Sequence, residues 1–143
     1  MIQKIAVFIR RLPGVRELYA GPRERLGRKA EEYVAESLRC EGYRILKRNY
    51  SIRAGEIDII ALREGVVAFV EVRSRTGDTG VSPQESVDHA KQRRIIAAAR
   101  SFSAAHRLGQ GQVMPRFDVA GVVFDGRGRI EAMEYFEDAF RPV

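Results

Sequence analysis

Two apolar runs in mid-chain, "EIDIIAL" (Glu56 to Leu62) and "VVAFVEVR" (Val66 to Arg73), constrain the fold most. Each is rich in branched or aromatic residues, and each is too short for a buried helix. Only Arg63-Glu64-Gly65 separates them. The pattern predicts two strands joined by a tight turn. A carboxylate interrupts each run, Asp58 in the first and Glu71 in the second. If the turn occupies Arg63 to Val66, then Leu62 faces Val67, Ile60 faces Phe69 and Asp58 faces Glu71. Directly opposed side chains have Cβ atoms about 5 Å apart. Two buried carboxylates at that separation repel each other, so such a pair persists only when something compensates. A divalent cation is the most economical compensation, and all-oxygen ligands select Mg2+ or Mn2+. Arg73, two residues beyond Glu71, points to the same face and can neutralise an anion such as a phosphate. A register shifted by one residue gives the other reading. One carboxylate then lies on the far face, and each marks a strand end or pairs with an Arg.

Around this hairpin the remaining signals arrange themselves. Pro22 suits the first turn of a helix running to about Glu41, with Gly42 as its C-terminal cap. Leu26, Ala30, Tyr33, Val34 and Leu38 keep helical spacing on one face. "YRILKRNY" reads as a short strand. Ser82-Pro83-Gln84-Glu85 has the form of a helix start, with Ser as N-cap and Glu three residues later. That helix is expected to run to about Leu108, with Gly109 as its stop. "RFDVAGVVFD" reads as a strand, "DGRGR" as a turn and "IEAMEYF" as a final, half-exposed strand. A helix between "VVAFVEVR" and "FDVAGVVF" can cross over between parallel strands. The expected architecture is α/β, a central mixed sheet with a helix packed on each side.

The 143 residues suffice for one domain, expected over residues 21–143, with residues 1–20 as a basic N-terminal arm. The net charge is +6, which favours an anionic partner. Residues 1–29 hold eight basic side chains against two acidic ones, so they account for the whole excess. That segment reads either as a solvated arm or as one that contacts phosphates. No apolar run approaches the roughly 20 residues needed to cross a membrane. Without a targeting segment, a cytoplasmic location is expected, and the single cysteine, Cys40, agrees with a reducing compartment. One Cys and two His argue against structural zinc.

The segments "LGRKAEEYVAESLRCEGYRIL", "GEIDIIA", "FVEVRSR", "AKQRRIIAAA" and "RFDVAGVV" together resemble the PD-(D/E)xK nuclease superfamily. The fuller pattern resembles one branch, the bacterial YraN-type family of predicted endonucleases, distantly related to archaeal Holliday junction resolvases. The matching segments span most of Leu26 to Phe140. The resemblance implies a restriction-endonuclease-like fold and Mg2+- or Mn2+-dependent hydrolysis of DNA phosphodiester bonds, with branched or otherwise structured DNA as candidate substrate. It implies that Asp58 and Glu71 bind metal, that Glu31 is the helical acidic residue, that Gln92 is a helix-borne active-site Gln, and that Glu56 is an outer acid. The proline of the superfamily's name is absent before Asp58, where Ile57 stands. Arg73 stands where the superfamily most often has Lys. An Arg does not give up its proton, so its implied role is electrostatic. Junction-resolving relatives act as dimers, which implies a homodimer here. A second reading keeps the nuclease fold without turnover, as a nucleic-acid-binding module in a repair or recombination complex. In a third, the basic arm docks an acidic protein.

Other residues carry weaker signals. "KQRR", with Lys91, Arg93 and Arg94, is either a solvated helix face or a grip on a nucleic-acid backbone, as are Arg75, Arg53 and Lys47. Glu32 and Glu36 are expected to face solvent, with Arg28 placed to pair with Glu32. His89 and His106 read as surface residues, with His89 placed to approach phosphate. Cys40 reads as half-buried. The glycine-rich loop from Ser74 to Val81 lacks the spacing of a phosphate-binding P-loop and reads as a flap.

Overall fold

The central hairpin turns at Glu64 and Gly65, both at positive φ (48° and 76°), the backbone of a two-residue turn whose twist matches its strands. The structure, a computed structural model, describes residues 4–8, 23–77, 80–108 and 111–143. In chain order its elements are β1 (Lys4–Phe8), α1 (Arg23–Cys40), β2 (Arg44–Ile52), β3 (Gly55–Arg63), β4 (Val66–Thr76), α2 (His89–Ala105), β5 (Met114–Phe124) and β6 (Ile130–Phe140). They form one six-stranded sheet in the order β1-β6-β5-β4-β3-β2. Among the described strands only β4 and β5 pair in parallel, and α2 makes the crossover between them. The sheet is therefore mixed, with a helix on each face, as the element order predicts.

Two apolar layers separate the helices from the sheet. Ala30, Tyr33, Val34 and Leu38 of α1 pack on Ile59, Ala61, Ala68 and Val70. Ile95, Ile96, Ala99 and Phe102 of α2 pack on Ile60, Val67, Phe69 and Phe117. Both faces of the hairpin are thus buried, and side-chain size distinguishes them. Small Ala61 and Ala68 lie opposite each other under α1, whereas Ile60 and Phe69 lie opposite each other under α2. A one-residue slip would drive Phe69 into the space of Ala68, and overpacking of that kind costs about 1–3 kcal/mol per site. The turn and this size pattern settle the register: Leu62 pairs with Val67 and Ile60 with Phe69.

α1 is described from Arg23, Pro22 lies outside the described residues, and Gly42 (φ 88°) closes the helix. Gly42 N–H donates to Arg39 O (3.0 Å) and Tyr43 N–H to Leu38 O (2.9 Å), the paired bonds of a Schellman cap. The second helix differs. The Ser82–Glu85 capping box does form, with Glu85 N–H on Ser82 Oγ at 3.1 Å and Ser82 N–H on Glu85 Oε2 at 3.4 Å. It closes one turn only. The chain then extends at Asp88 (φ −71°, ψ 171°), whose side chain accepts from Lys91 N–H and caps α2 afresh. The helix ends at Ala105 rather than Leu108, and Gly109 lies outside the described residues.

The other end of the sheet holds what the sequence did not suggest. Lys4–Phe8 pair with β6, so β6 is internal and buries Met133, Tyr135, Phe136, Ala139 and Phe140 instead of lying half exposed. Of the basic arm, residues 1–3 and 9–20 lie outside the described residues. Beneath the sheet, fully buried Asp118 accepts a forked pair from Arg116 Nε and Nη2, both at 2.9 Å, Tyr135 O–H at 2.6 Å and Asp138 N–H at 2.9 Å. Arg116 also reaches Tyr43 Oη at 2.6 Å, tying β5 to the end of α1. Every partner is charged or correctly aimed, so the buried carboxylate is satisfied. Cys40 is exposed, because it falls off the apolar stripe of α1 in its last turn. Glu32 takes Arg48 of β2 as its partner at 3.0 Å, not Arg28.

Candidate active site

The ladder between β3 and β4 stops at the pair Ile59–Val70. The next residues by register are Asp58 and Glu71. There the backbone link is replaced by a side chain: Val72 N–H donates to Asp58 Oδ2 at 2.8 Å. Facing alternation also breaks at this point, since Ile57 packs with the α2-side cluster while Ile59 packs under α1. The strands part at the two acids, and Asp58 spans the gap.

Glu71 is 2% exposed. Lys91 of α2 places Nζ 2.9 Å from Glu71 Oε1. Arg73 Nη1 stands at 3.7 Å from the same oxygen, an ion pair but too long for a hydrogen bond. Glu71 Oε2 is buried and has no hydrogen-bond partner. Burial, and next the charge of Asp58, push the Glu71 carboxyl up to about 8, although Lys91 pulls it down. Asp58 is also raised, chiefly by burial, with the Val72 N–H opposing. Asp58 therefore makes ionisation of Glu71 harder, whereas a hydrogen bond from the Glu71 carboxyl favours the ionised form of Asp58.

Glu31 is half-buried on α1 and is raised by burial first and then by the field of Asp58, which places it beside the pair. It does not complete a cluster: among the described residues no three His, Cys, Asp or Glu gather closely enough to hold a metal together. Glu56 is exposed, and its charge adds to the fields on Asp58 and Glu31. Gln92 is half-buried, and its amide donates to Val87 O at 3.0 Å, across the start of α2.

The basic candidates divide. Lys91 belongs to the acid pair rather than to the surface, a placement its spacing four residues before buried Ile95 could have signalled. Arg73 donates from Nε to Ser86 Oγ at 3.0 Å, a partner the sequence gave no reason to choose. Arg75 is half-buried and donates to Val81 O at 3.3 Å. Lys47, Arg53, Arg93 and Arg94 are exposed. The β2–β3 turn carrying Arg53 is pressed against α2 at Gly55, where a Cβ would lie 2.0 Å from Arg94 O. His89 is exposed at the start of α2. His106, also exposed, stacks on Phe102. Asp78 and Thr79 of the expected flap lie outside the described residues.

The sheet order, its single parallel pair and its flanking helices are consistent with the restriction-endonuclease-like α/β class. The chain belongs to the UPF0102 (YraN-type) family: the model described as "Uncharacterised protein family UPF0102" matches residues 30–122. A UPF0102 protein of Pelotomaculum thermopropionicum is 41% identical over 121 residues, covering 85% of this chain and 99% of that protein. One from Myxococcus xanthus is 42% identical over 123 residues, covering 85% and 94%. One from Persephonella marina is 46% identical over 98 residues, covering 68% and 82%. The matched region contains both acids, Lys91 and the buried Asp118. No described helix is long and apolar enough to cross a membrane.

Proposed function

We propose that this protein is a Mg2+- or Mn2+-dependent endonuclease acting on DNA. The observation that carries the reading is the buried, partnerless Oε2 of Glu71 beside Asp58 at the point where two strands part. An orphaned buried carboxylate oxygen is costly, and the donor set is all oxygen. Mg2+ binds through one or two carboxylates plus substrate phosphate oxygens, so Asp58 and Glu71 suffice without a third acid. Bound there, a divalent cation would supply charge neutralisation at the phosphoryl group and a nucleophile active at neutral pH.

The chain's own residues then have distinct tasks. Asp58 is fixed by Val72 N–H, which orients its carboxyl group beside Glu71. Glu71 is held from the α2 side by Lys91. Arg73, anchored by Ser86, keeps a guanidinium near the reacting phosphate and acts by charge, since it does not deprotonate. Lys91 brings a second cation to the same place. The acids meet where the strands part, with Glu71 buried and Asp58 half-buried. The exposed bases Arg53 and Arg94, on adjoining segments, suit contact with the phosphate backbone.

A second reading, a nucleic-acid-binding module without turnover, is favoured by two observations: among the described residues no third acid joins Asp58 and Glu71 closely enough to hold a metal, and Arg73 is not a Lys. Incubating the protein with Mg2+ or Mn2+ and single-stranded, duplex, flap and four-way-junction DNA separates the two. Cleavage lost in both Asp58→Asn and Glu71→Gln supports the enzyme. Tight binding without cleavage on every substrate supports the module.

A further inference from the structure

Strand β2 carries a left-handed residue in mid-strand: Asn49 has φ 51°. Outside glycine this backbone is uncommon, and where it persists the surroundings hold it in place. Its position in the sheet is defined from both sides. Arg48 pairs with Ile59 and Tyr50 with Ile57, so Asn49 and Asp58 fall between the two pairs. Side chains two residues apart on a strand normally share a face, yet Arg48 and Tyr50 do not. Arg48 Nη1 reaches Glu32 of α1 at 3.0 Å. Tyr50 packs with the α2-side cluster, and its hydroxyl is hydrogen-bonded to Ser101 of α2 at 3.1 Å. On β3 the same switch separates Ile57 from Ile59. Both strands therefore change face at one place, and the residues at that place are Asn49 and Asp58.

Two observations tie Asn49 to Glu31. The ion pair of its neighbour Arg48 with Glu32 holds this part of β2 against the turn of α1 that carries Glu31. Burial first, and then the charge of Asp58, raise the Glu31 carboxyl; the Arg48 charge and a hydrogen bond from the Asn49 side chain oppose them. An amide suits this task. It orients a carboxylate by donating to it and brings no positive charge that would compete with a cation. Among the described residues no three acids gather closely enough to share a metal, so Glu31 acts on the Asp58–Glu71 pair by its charge.

We infer that Asn49 is a positioning residue: from its left-handed place beside Asp58 it directs its amide onto Glu31 and fixes that carboxylate next to the acid pair, where the added negative charge strengthens cation binding. The cation rests on the reading of Asp58 and Glu71 as a metal site; the coupling of Asn49 to Glu31 does not.

The test uses the full chain, stripped of metal, and Mn2+ alone, with the free ion read by electron paramagnetic resonance. Wild type, Asn49→Gly, Glu31→Gln and the double variant are compared. Glycine adopts the left-handed backbone without steric cost, and Asn49 is exposed, so no core packing is lost. Asn49→Gly therefore keeps the kink and removes only the amide, and its circular dichroism should match wild type. Residues that orient a metal site from outside typically matter 10–100-fold in affinity. Asn49→Gly and Glu31→Gln should each weaken Mn2+ binding about tenfold, and the double variant should be no weaker than Glu31→Gln alone. Wild-type affinity in Asn49→Gly would show that only the backbone matters, and overturns the inference. Losses that add in the double variant overturn it as well, because Asn49 would then act without Glu31. Absence of saturable Mn2+ binding in wild type has the same consequence. DNA cleavage by a protein whose losses add removes the positioning role and leaves the nuclease standing. Coupled losses in a protein that cleaves no DNA keep the positioning role and remove the nuclease.

Discussion

Without metal, Glu71 destabilises the folded protein at neutral pH, and Glu71→Gln is expected to relieve it. The carboxyl titrates near 8 in the fold against 4.5 for an ordinary glutamate. Between those values the folded state keeps a proton that the unfolded chain has released. Stability therefore falls as pH rises through the window and levels off above it. Each pH unit is worth about 1.4 kcal/mol. Between pH 5.5 and 8.5 the loss is at most about 3 kcal/mol, a large part of the roughly 5–15 kcal/mol that holds a domain together. A Gln carries no such proton, so the variant should lose much less over the same interval. Urea unfolding in chelator at both pH values measures the difference, and shared contributions from the rest of the chain cancel between the two proteins. Millimolar Mg2+ or Mn2+ should flatten the wild-type curve, because a cation favours the ionised acids, and should leave the variant nearly unchanged. Parallel loss of stability in wild type and variant would refute the assignment of the raised carboxyl to Glu71.

Further outcomes follow from the same geometry. Lys91→Met removes the cation 2.9 Å from Glu71 and should push the carboxyl higher still, extending the metal-free pH dependence upward in the same urea assay. Asp118→Asn should destabilise by less than the ~3–5 kcal/mol of a buried pair broken outright, because Arg116 loses the Asp118 charge but keeps Glu137 at 3.3 Å. Tyr135→Phe should cost only about 1 kcal/mol, and neither change should alter the pH response assigned to Glu71. Gly55→Ala should lower the melting temperature by several degrees, since its Cβ meets the Arg94 carbonyl, and should weaken metal-induced stabilisation as α2 moves off the site. Arg53→Ala and Arg94→Ala should each weaken DNA binding about equally across sequences and reduce the salt slope by about one.

The sequence by itself determined the hairpin. Two short apolar runs around Glu64 and Gly65 admit little else, and they bring Asp58 and Glu71 onto neighbouring strands. It determined the helix cap at Gly42 and the parallel crossover for the same reason: these are local signals, read from neighbours in the chain. What it left open was decided by tertiary packing. Hydrophobic alternation could not fix the register, because both faces of β3 and β4 are buried, and the sizes of Ala61, Ala68, Ile60 and Phe69 settle it instead. The capping box at Ser82 was legible, but only the seating of Pro83 on Gly121 and the fresh cap at Asp88 show why it closes a single turn. Lys91, one turn before Ile95, was visible as a basic residue. Its place at Glu71 depends on where α2 crosses the sheet, which no local pattern records. The pairing of β1 with β6 and the bonds from Arg116 and Tyr135 to Asp118 join segments far apart in sequence. Spacing along a chain reports which side chains share a face, and only the packed fold decides which faces meet.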